Sequence, residues 1–412
     1  MGLFGFPGRV VLGILILLAA SAGSGSCRRS PGEDLLLAAA PAGRGICATA
    51  VRVHGYKCQE FEVKTEDGYI LSLQRIPEGL SGNGGSGDKQ KPPVLIQHGV
   101  LVDGMTWFLN SPDKSLPFIL AENGFDVWIA NARGTNQSKG HASLSSSDPE
   151  YWNWSWEELA AYDLPANLDF VFSQTGQKSH YVGHSLGTLV ALVALSEGKL
   201  LDRMRSAALL SPIAYLSHMS TPLLVLAAKS FVGEITEIFG HAEFNLKGQD
   251  ATDFLKSLCQ NNGIDCYDLL TALTGKNCCL NSSTVDLFLN YEPQATSTKN
   301  LVHLSQIYRY KEVAKYDYVN VLTNMEHYGS PRPPAYDLSN IPVDFPLFLS
   351  YGGRDTLSDV PDVQHLLDVL KSHDEDKYSV QFIENYAHAD FIMGISAKDI
   401  VYNPIISFFN RN

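Results

Sequence analysis

Gly183-His184-Ser185-Leu186-Gly187 is a G-x-S-x-G stretch set between the short apolar run Tyr181-Val182 and an Ala/Leu-rich run from Thr188 to Glu197. Such a stretch predicts a nucleophile elbow, a sharp strand-to-helix turn that lifts a serine hydroxyl clear of a sheet. Its glycines answer a steric need, because a Cβ two residues before or after the serine would collide with neighbouring backbone. The same turn places Leu186 at the start of a helix, where its backbone N–H has no intrahelical acceptor and can face a developing oxyanion. The pattern therefore demands a strand before it, a helix after it and a general base brought in from elsewhere.

Candidates for the remaining parts lie at the ends of other apolar runs. Val94-Leu95-Ile96 leads into Gln97-His98-Gly99-Val100-Leu101, and a His-Gly pair at the carboxyl end of an early strand is where this class of sheet places its second oxyanion donor. Val100 N–H is the expected donor, with Leu101 as the competing choice. Phe345 to Tyr351 reads as a buried strand running into Gly352-Gly353-Arg354-Asp355, which makes Asp355 the expected triad acid, with Asp359 and Asp344 as nearby alternatives. His388 follows the strand Ser379 to Ile383 and is the expected base. His184 is read as a packing or hydrogen-bonding neighbour, Asp390 as a carboxylate that organises its loop, and Asp163 as a solvated or capping carboxylate. The order Ser, Asp, His is that of an α/β-hydrolase, a mostly parallel central sheet. Glu66-Asp67-Gly68 between two alternating runs adds a hairpin at the front.

The strand-helix rhythm stops between Tyr215 and about Pro342. That stretch reads as a mainly helical insert over the carboxyl edge of the sheet, where open α/β folds bind ligands. Within it, residues 221–240 begin with an apolar run that suits either a lid helix or an ordinary buried cap helix. The resulting division is a signal peptide at 1–26, a disordered leader at 27–46, a first core part at 47–214, the cap/lid insert at 215–342 and a second core part at 343–412.

Arg9, the apolar run Val10 to Ala20 and the small residues after it have the layout of a signal peptide, too short for a confident membrane span. Secretory passage fits the sequons at Asn136, Asn153 and Asn281. With Cys27 at the leader border, the other six cysteines form an even set that reads as disulfides, with 15 possible pairings. Adjacent Cys278 and Cys279 are expected to bridge to two separate partners rather than to each other, and a zinc site is the weaker reading. No cofactor or metal is expected. The 412 residues carry 31 basic and 44 acidic side chains, a net charge of −13, which disfavours nucleic acid as a partner. Acidity is no bar to an uncharged ester interface, which is approached through apolar area.

Taken together, HGYKCQEFEVKTEDGYILSLQRIP from His54, QHGVLVDGMTWFLNSP from Gln97, FDVWIANARG from Phe125, YDLPANLDF from Tyr162, YVGHSLGT, YGGRDTLSDV and HADF make the chain from about Cys47 onward resemble the acid lipase family. The segment LTGKNCCLNSSTVDLFLNYEP looks most like the family's plant branch. The resemblance implies a secreted or vacuolar, lysosome-like hydrolase of neutral lipid esters such as triacylglycerol, working at a lipid-water interface. It implies Ser185, Asp355 and His388 as triad and the Val100 and Leu186 N–H groups as oxyanion hole. Leu186 stands where glutamine is frequent in the family and Val100 where leucine is, but both donate through backbone. An esterase or acyltransferase acting on steryl or small soluble esters, and an inactive ligand-binding protein on the same scaffold, are the alternatives.

Overall fold

The computed structural model describes residues 45–80, 90–229, 242–245, 270–271 and 273–412. The expected signal peptide, most of the leader, the loop at 81–89 and much of the 221–240 run lie outside them. Among the described residues, one sheet has the order β1-β2-β4-β3-β6-β7-β10-β11, with β5 attached to β2. The strands are β1 Gln59–Lys64, β2 Tyr69–Ile76, β3 Pro93–Gln97, β4 Asp126–Ala130, β5 Gly140–His141, β6 Ser179–His184, β7 Met204–Leu210, β8 Glu243–Phe244, β9 Thr296–Ser297, β10 Leu347–Gly352 and β11 Tyr378–Ile383. From β4 to β11 every neighbouring pair in that order is parallel. The antiparallel β1-β2 hairpin turns at Thr65–Gly68, as the Glu66-Asp67-Gly68 signal predicts.

β3, β4, β6 and β10 are buried along their whole length, which is why their sequences are nearly continuous apolar runs. Successive side chains serve two cores. Leu95, Trp128, Tyr181 and Leu349 pack on one face, while Ile96, Ile129, Val182 and Phe348 pack on the other. The helix Leu186–Ser196 that leaves β6 is apolar on every side and buried throughout Leu186–Leu195, so it is a core helix without a solvent face.

The order 4-3-6 contains the decisive feature. After β3 the chain moves outward to β4, then returns to place β6 on the other side of β3, so the loops leaving β3 and β6 diverge. A crevice at such a reversal, beyond the carboxyl ends of the strands, is where open α/β sheets bind ligands. Between β7 and β10 lie the helices Pro222–Lys229, Ser282–Tyr291, Thr298–Tyr310 and Val321–Tyr328 and the two-stranded β8-β9 ribbon.

Two expectations are corrected. Asp163 is neither solvated nor a cap: it is buried and takes the Nε and Nη2 of Arg133 at 2.8 and 2.6 Å on one oxygen and the Arg133 N–H on the other. Arg133, itself fully buried, also forks onto Asp67 at 2.6 and 3.0 Å and lies 3.8 Å over the Tyr69 ring. A buried guanidinium needs carboxylates for its remaining donors, and that need draws Asp163 inward. Cys278 and Cys279, expected to seek separate partners, are bonded to each other. Cys47 and Cys58, 5.4 Å apart at Cα, take one another, so neither is left for the adjacent pair. Cys259 and Cys266 lie outside the described residues.

Candidate active site

Ser185 sits between β6 and its helix with φ 54° and ψ −121°, in the left-handed half of the map where a residue bearing a side chain is strained. The turn is held by Ser185 N–H on the Leu210 carbonyl at 3.1 Å and by the Thr188 hydroxyl, which donates to the Ser185 carbonyl at 2.6 Å and accepts Ile213 N–H at 2.7 Å. A Cβ on Gly183 would stand 2.9 Å from the Gly187 backbone, and one on Gly187 would stand 2.9 Å from the Gln97 carbonyl oxygen. The steric reading of the two glycines is thereby borne out.

The loop after β3 crosses directly in front of the serine. A Cβ at Gly99 would lie 2.9 Å from that of Ser185. His98 is buried and donates from Nδ1 to the Gly99 carbonyl at 2.7 Å while Nε2 accepts Ala132 N–H at 3.0 Å. Burial pushes its pKa down to about 4, only partly opposed by the Gly99 bond, so the ring is neutral with its proton on Nδ1. In the sequence, only the neighbouring glycine hints at a role for His98. Val100 and Leu186 N–H have no acceptor among the described residues, and Leu186 opens its helix as expected.

Further along the same carboxyl edge, Asp355 follows β10 and His388 follows β11, parallel neighbours whose ends open together. His388 donates from Nδ1 to Asp355 Oδ2 at 2.9 Å. The other oxygen of Asp355 accepts Leu357 and Ser358 N–H at 2.9 and 2.8 Å. Burial works to raise the Asp355 pKa, but the His388 charge and hydrogen bond and the two backbone N–H groups more than offset it, leaving the carboxyl below its usual range. Asp359, by contrast, begins the helix Val360–Val369 without a side-chain cap bond and has its pKa raised, chiefly by burial. With Nδ1 committed, Nε2 is the nitrogen of His388 left to take a proton. No hydrogen bond joins the Ser185 hydroxyl to that ring in this resting geometry, and such links commonly tighten only when substrate is bound.

His184 is the hydrogen-bonding neighbour expected of it, donating from Nε2 to the His388 carbonyl at 3.0 Å. Asp390 organises its loop by accepting Ala387, Cys278 and Cys279 N–H at 2.8, 3.1 and 3.0 Å. Among the described residues, the metal-ligand grouping is Cys278, Cys279 and Asp390, with ligand atoms within 4.8 Å of one another. Its sulfurs are bonded together and its carboxylate is satisfied by N–H groups, so it does not suit a cation.

Ser185 opens into a cavity of about 250 Å³. Val100, Leu101, Leu186, Ile213 and Leu216 line its floor, and Leu304 and Ala228 come from the helices beyond β7. The lining is overwhelmingly apolar and uncharged, which accommodates a hydrocarbon chain and offers an ionic ligand nothing.

Comparison with known proteins identifies the fold and the family. A family model described as a partial alpha/beta-hydrolase lipase region matches residues 47–111, and one described as the alpha/beta hydrolase fold matches residues 92–394. The chain is 57% identical over 367 residues to triacylglycerol lipase 2 of Arabidopsis thaliana, covering 89% of this chain and 88% of that one. The chain belongs to the acid lipase family. The lysosomal acid lipase/cholesteryl ester hydrolase of Homo sapiens is 36% identical, covering 87% and 88% of the two chains. A soluble variant of monoglyceride lipase from Saccharomyces cerevisiae, solved with a substrate analog, superposes with a TM-score of 0.52 at 15% identity, over 90% of this chain and 99% of that one. This last likeness speaks to the fold alone. As a family member the protein is an enzyme, a serine ester hydrolase of the α/β-hydrolase class.

Proposed function

We propose that this acid lipase hydrolyses carboxylic esters of neutral lipids, triacylglycerol foremost, with Ser185 as nucleophile, His388 as base and Asp355 as its partner. The observation that carries the reading is a strained serine at the floor of an apolar, uncharged cavity, flanked by Val100 and Leu186, whose N–H groups have no acceptor among the described residues. In the first half-reaction Ser185 Oγ attacks the ester carbonyl as His388 Nε2 accepts its proton. The carbonyl oxygen gathers negative charge between the two N–H groups. Collapse expels the alcohol, protonated by His388, and leaves the acyl group on Ser185. Water then repeats the sequence and frees the fatty acid. Asp355 keeps the imidazole in the Nδ1–H tautomer and stabilises its charged form.

The assignment of 215–342 as a cap between core parts 47–214 and 343–412 fits the helices that wall the cavity. Among the described residues no helix is long and apolar enough to cross a membrane. Passage through the secretory pathway, to the exterior or to a vacuole-like compartment, is supported by the leader composition and by the exposure of Asn136, Asn153 and Asn281, each open to glycosylation. Steryl ester is the second substrate to weigh, since one relative carries cholesteryl ester hydrolase in its name.

The test is hydrolysis of emulsified triacylglycerol, emulsified steryl ester and a short soluble ester by purified protein, beside labelling of Ser185 with an organophosphonate. Emulsified triacylglycerol should be turned over fastest, and Ser185→Ala should abolish both turnover and labelling. Preference for the soluble ester would make the protein an esterase, and a folded protein that is never labelled would make it a binding module.

A further inference from the structure

We propose that His184 is a positioning residue for the base: its Nε2–H holds the backbone carbonyl of His388 and so sets where the His388 ring stands relative to Ser185. This rests on the triad reading above. His388 lies in a loop, yet both of its main-chain groups are claimed by distant parts of the chain. Its N–H donates to the Thr274 carbonyl at 3.1 Å, and its carbonyl receives His184 at 3.0 Å. Asp355 holds the ring itself. Of these three anchors, His184 alone comes from the nucleophile's own turn, being the residue before Ser185. Any displacement of the elbow is thus handed through one side chain to the base, which keeps the two reacting groups in register.

The protonation of His184 follows from its partners. A carbonyl oxygen only accepts, so the shared proton is on Nε2. Nδ1 is buried without a hydrogen-bond partner among the described residues and faces Gly99, where even a Cβ would stand 3.5 Å away. A charged ring would put a second N–H there with nothing to receive it, and burial accordingly drives the ring towards its neutral form. A residue kept for packing alone would not leave a bare buried nitrogen, since a phenyl ring fills similar space without one. The side of the ring that does bond is the side that reaches His388, and the two rings lie 4.7 Å apart, centroid to centroid.

The experiment compares His184→Phe, which keeps the bulk and loses the donor, with His184→Gln, whose amide nitrogen reaches the place of Nε2. Wild type and both variants are assayed on a short soluble ester, for organophosphonate labelling of Ser185, and for thermal unfolding. The Phe variant should lose roughly 10- to 100-fold in kcat with KM within about twofold, the usual effect of a small misplacement of a reacting group. The Gln variant should recover most of that loss. Wild-type kcat in His184→Phe, or equal impairment in two equally folded variants, overturns the proposal. If the Phe variant does not fold, ¹⁵N NMR of the wild-type histidines decides: an Nε2–H tautomer at His184 sustains the proposal and an Nδ1–H tautomer overturns it. Failure of wild-type labelling would instead strike the triad reading, so the two failures are distinguishable.

Discussion

The carbonyl of Gly99 points at the Nδ1–H of His98, its own chain neighbour, across 2.7 Å. That carbonyl shares a planar trans peptide with Val100 N–H, and the two bonds of such a unit point in opposite directions. By holding one, His98 aims the other, and the far end of His98 is pinned in turn by Ala132 N–H just beyond β4.

His98→Ala should therefore lower kcat while the fold survives. A whole oxyanion donor is worth roughly 100- to 1,000-fold. Loosening one without deleting it should cost roughly 10- to 100-fold, with KM little changed. His98→Asn, whose amide can take the place of Nδ1, should restore most of the rate. Single-turnover acylation by a soluble ester measures both.

Arg133, Asp163 and Asp67 should show up in stability rather than in turnover. Asp163→Asn leaves a buried guanidinium short of charge, and breaking such a pair commonly costs about 3–5 kcal/mol. The chemical denaturation midpoint should fall accordingly, while the fraction that remains folded keeps wild-type kcat. Asp67→Asn should cost less, because Asp67 is partly open to solvent.

Leu216 lines the cavity beside Ser185, and Leu216→Trp should fill part of its roughly 250 Å³. Long acyl esters should lose at least about 10-fold in kcat/KM, since even one misplaced methylene is worth that much. Butyryl esters should be almost unaffected. Equal losses across chain lengths would place the acyl chain elsewhere.

Stability should decline as pH falls from 7 toward 5. Burial lowers the pKa of His98 to about 4 and those of His180, His184 and His303 to about 3, against an unfolded value near 6.5. The unfolded chain thus binds more protons in this range. Each histidine's contribution is complete above about pH 6.5 and is lost on acidification toward its folded pKa, at up to about 1.4 kcal/mol per pH unit. Asp163, Asp359 and Asp390, raised chiefly by burial, act in the opposite sense: their contribution is present at low pH and lost as pH rises through the folded pKa. His373 is lowered by burial as well, and five histidines against three carboxylates should give a falling unfolding temperature. Differential scanning calorimetry across this interval checks it, and a rising temperature would contradict it.

Much of this was legible in the sequence for a physical reason. The elbow at Ser185 is a local steric problem with few solutions, and β3, β4, β6 and β10 are buried on both faces, so their composition announces them. Asp355 could be nominated because it follows the buried β10, and His388 because it follows β11, whose alternating residues are half-buried and exposed rather than buried throughout. What stayed hidden depends on partners remote in the chain. Asp163 looks like any helix-start carboxylate until Arg133, 30 residues earlier, folds against it. His98 reads as half of a His-Gly pair, and nothing near it in sequence reveals that Ala132 fixes its tautomer. Cys278 and Cys279 had four other cysteines to choose among, and nothing near them in sequence says that they take each other.

The hydrogen bond from the His388 amide to Thr274, beside the bridge between Gly275 and Asp355, has a bearing on how such enzymes diversify. Thr274 and Gly275 belong to the stretch between β7 and β10, which in a modular view could be exchanged to suit new substrates. Here that stretch shoulders the two loops that carry Asp355 and His388. Transplanting a foreign cap would strip scaffolding from the chemistry itself, so a successful chimera must carry residues 273–279 along with its recipient core.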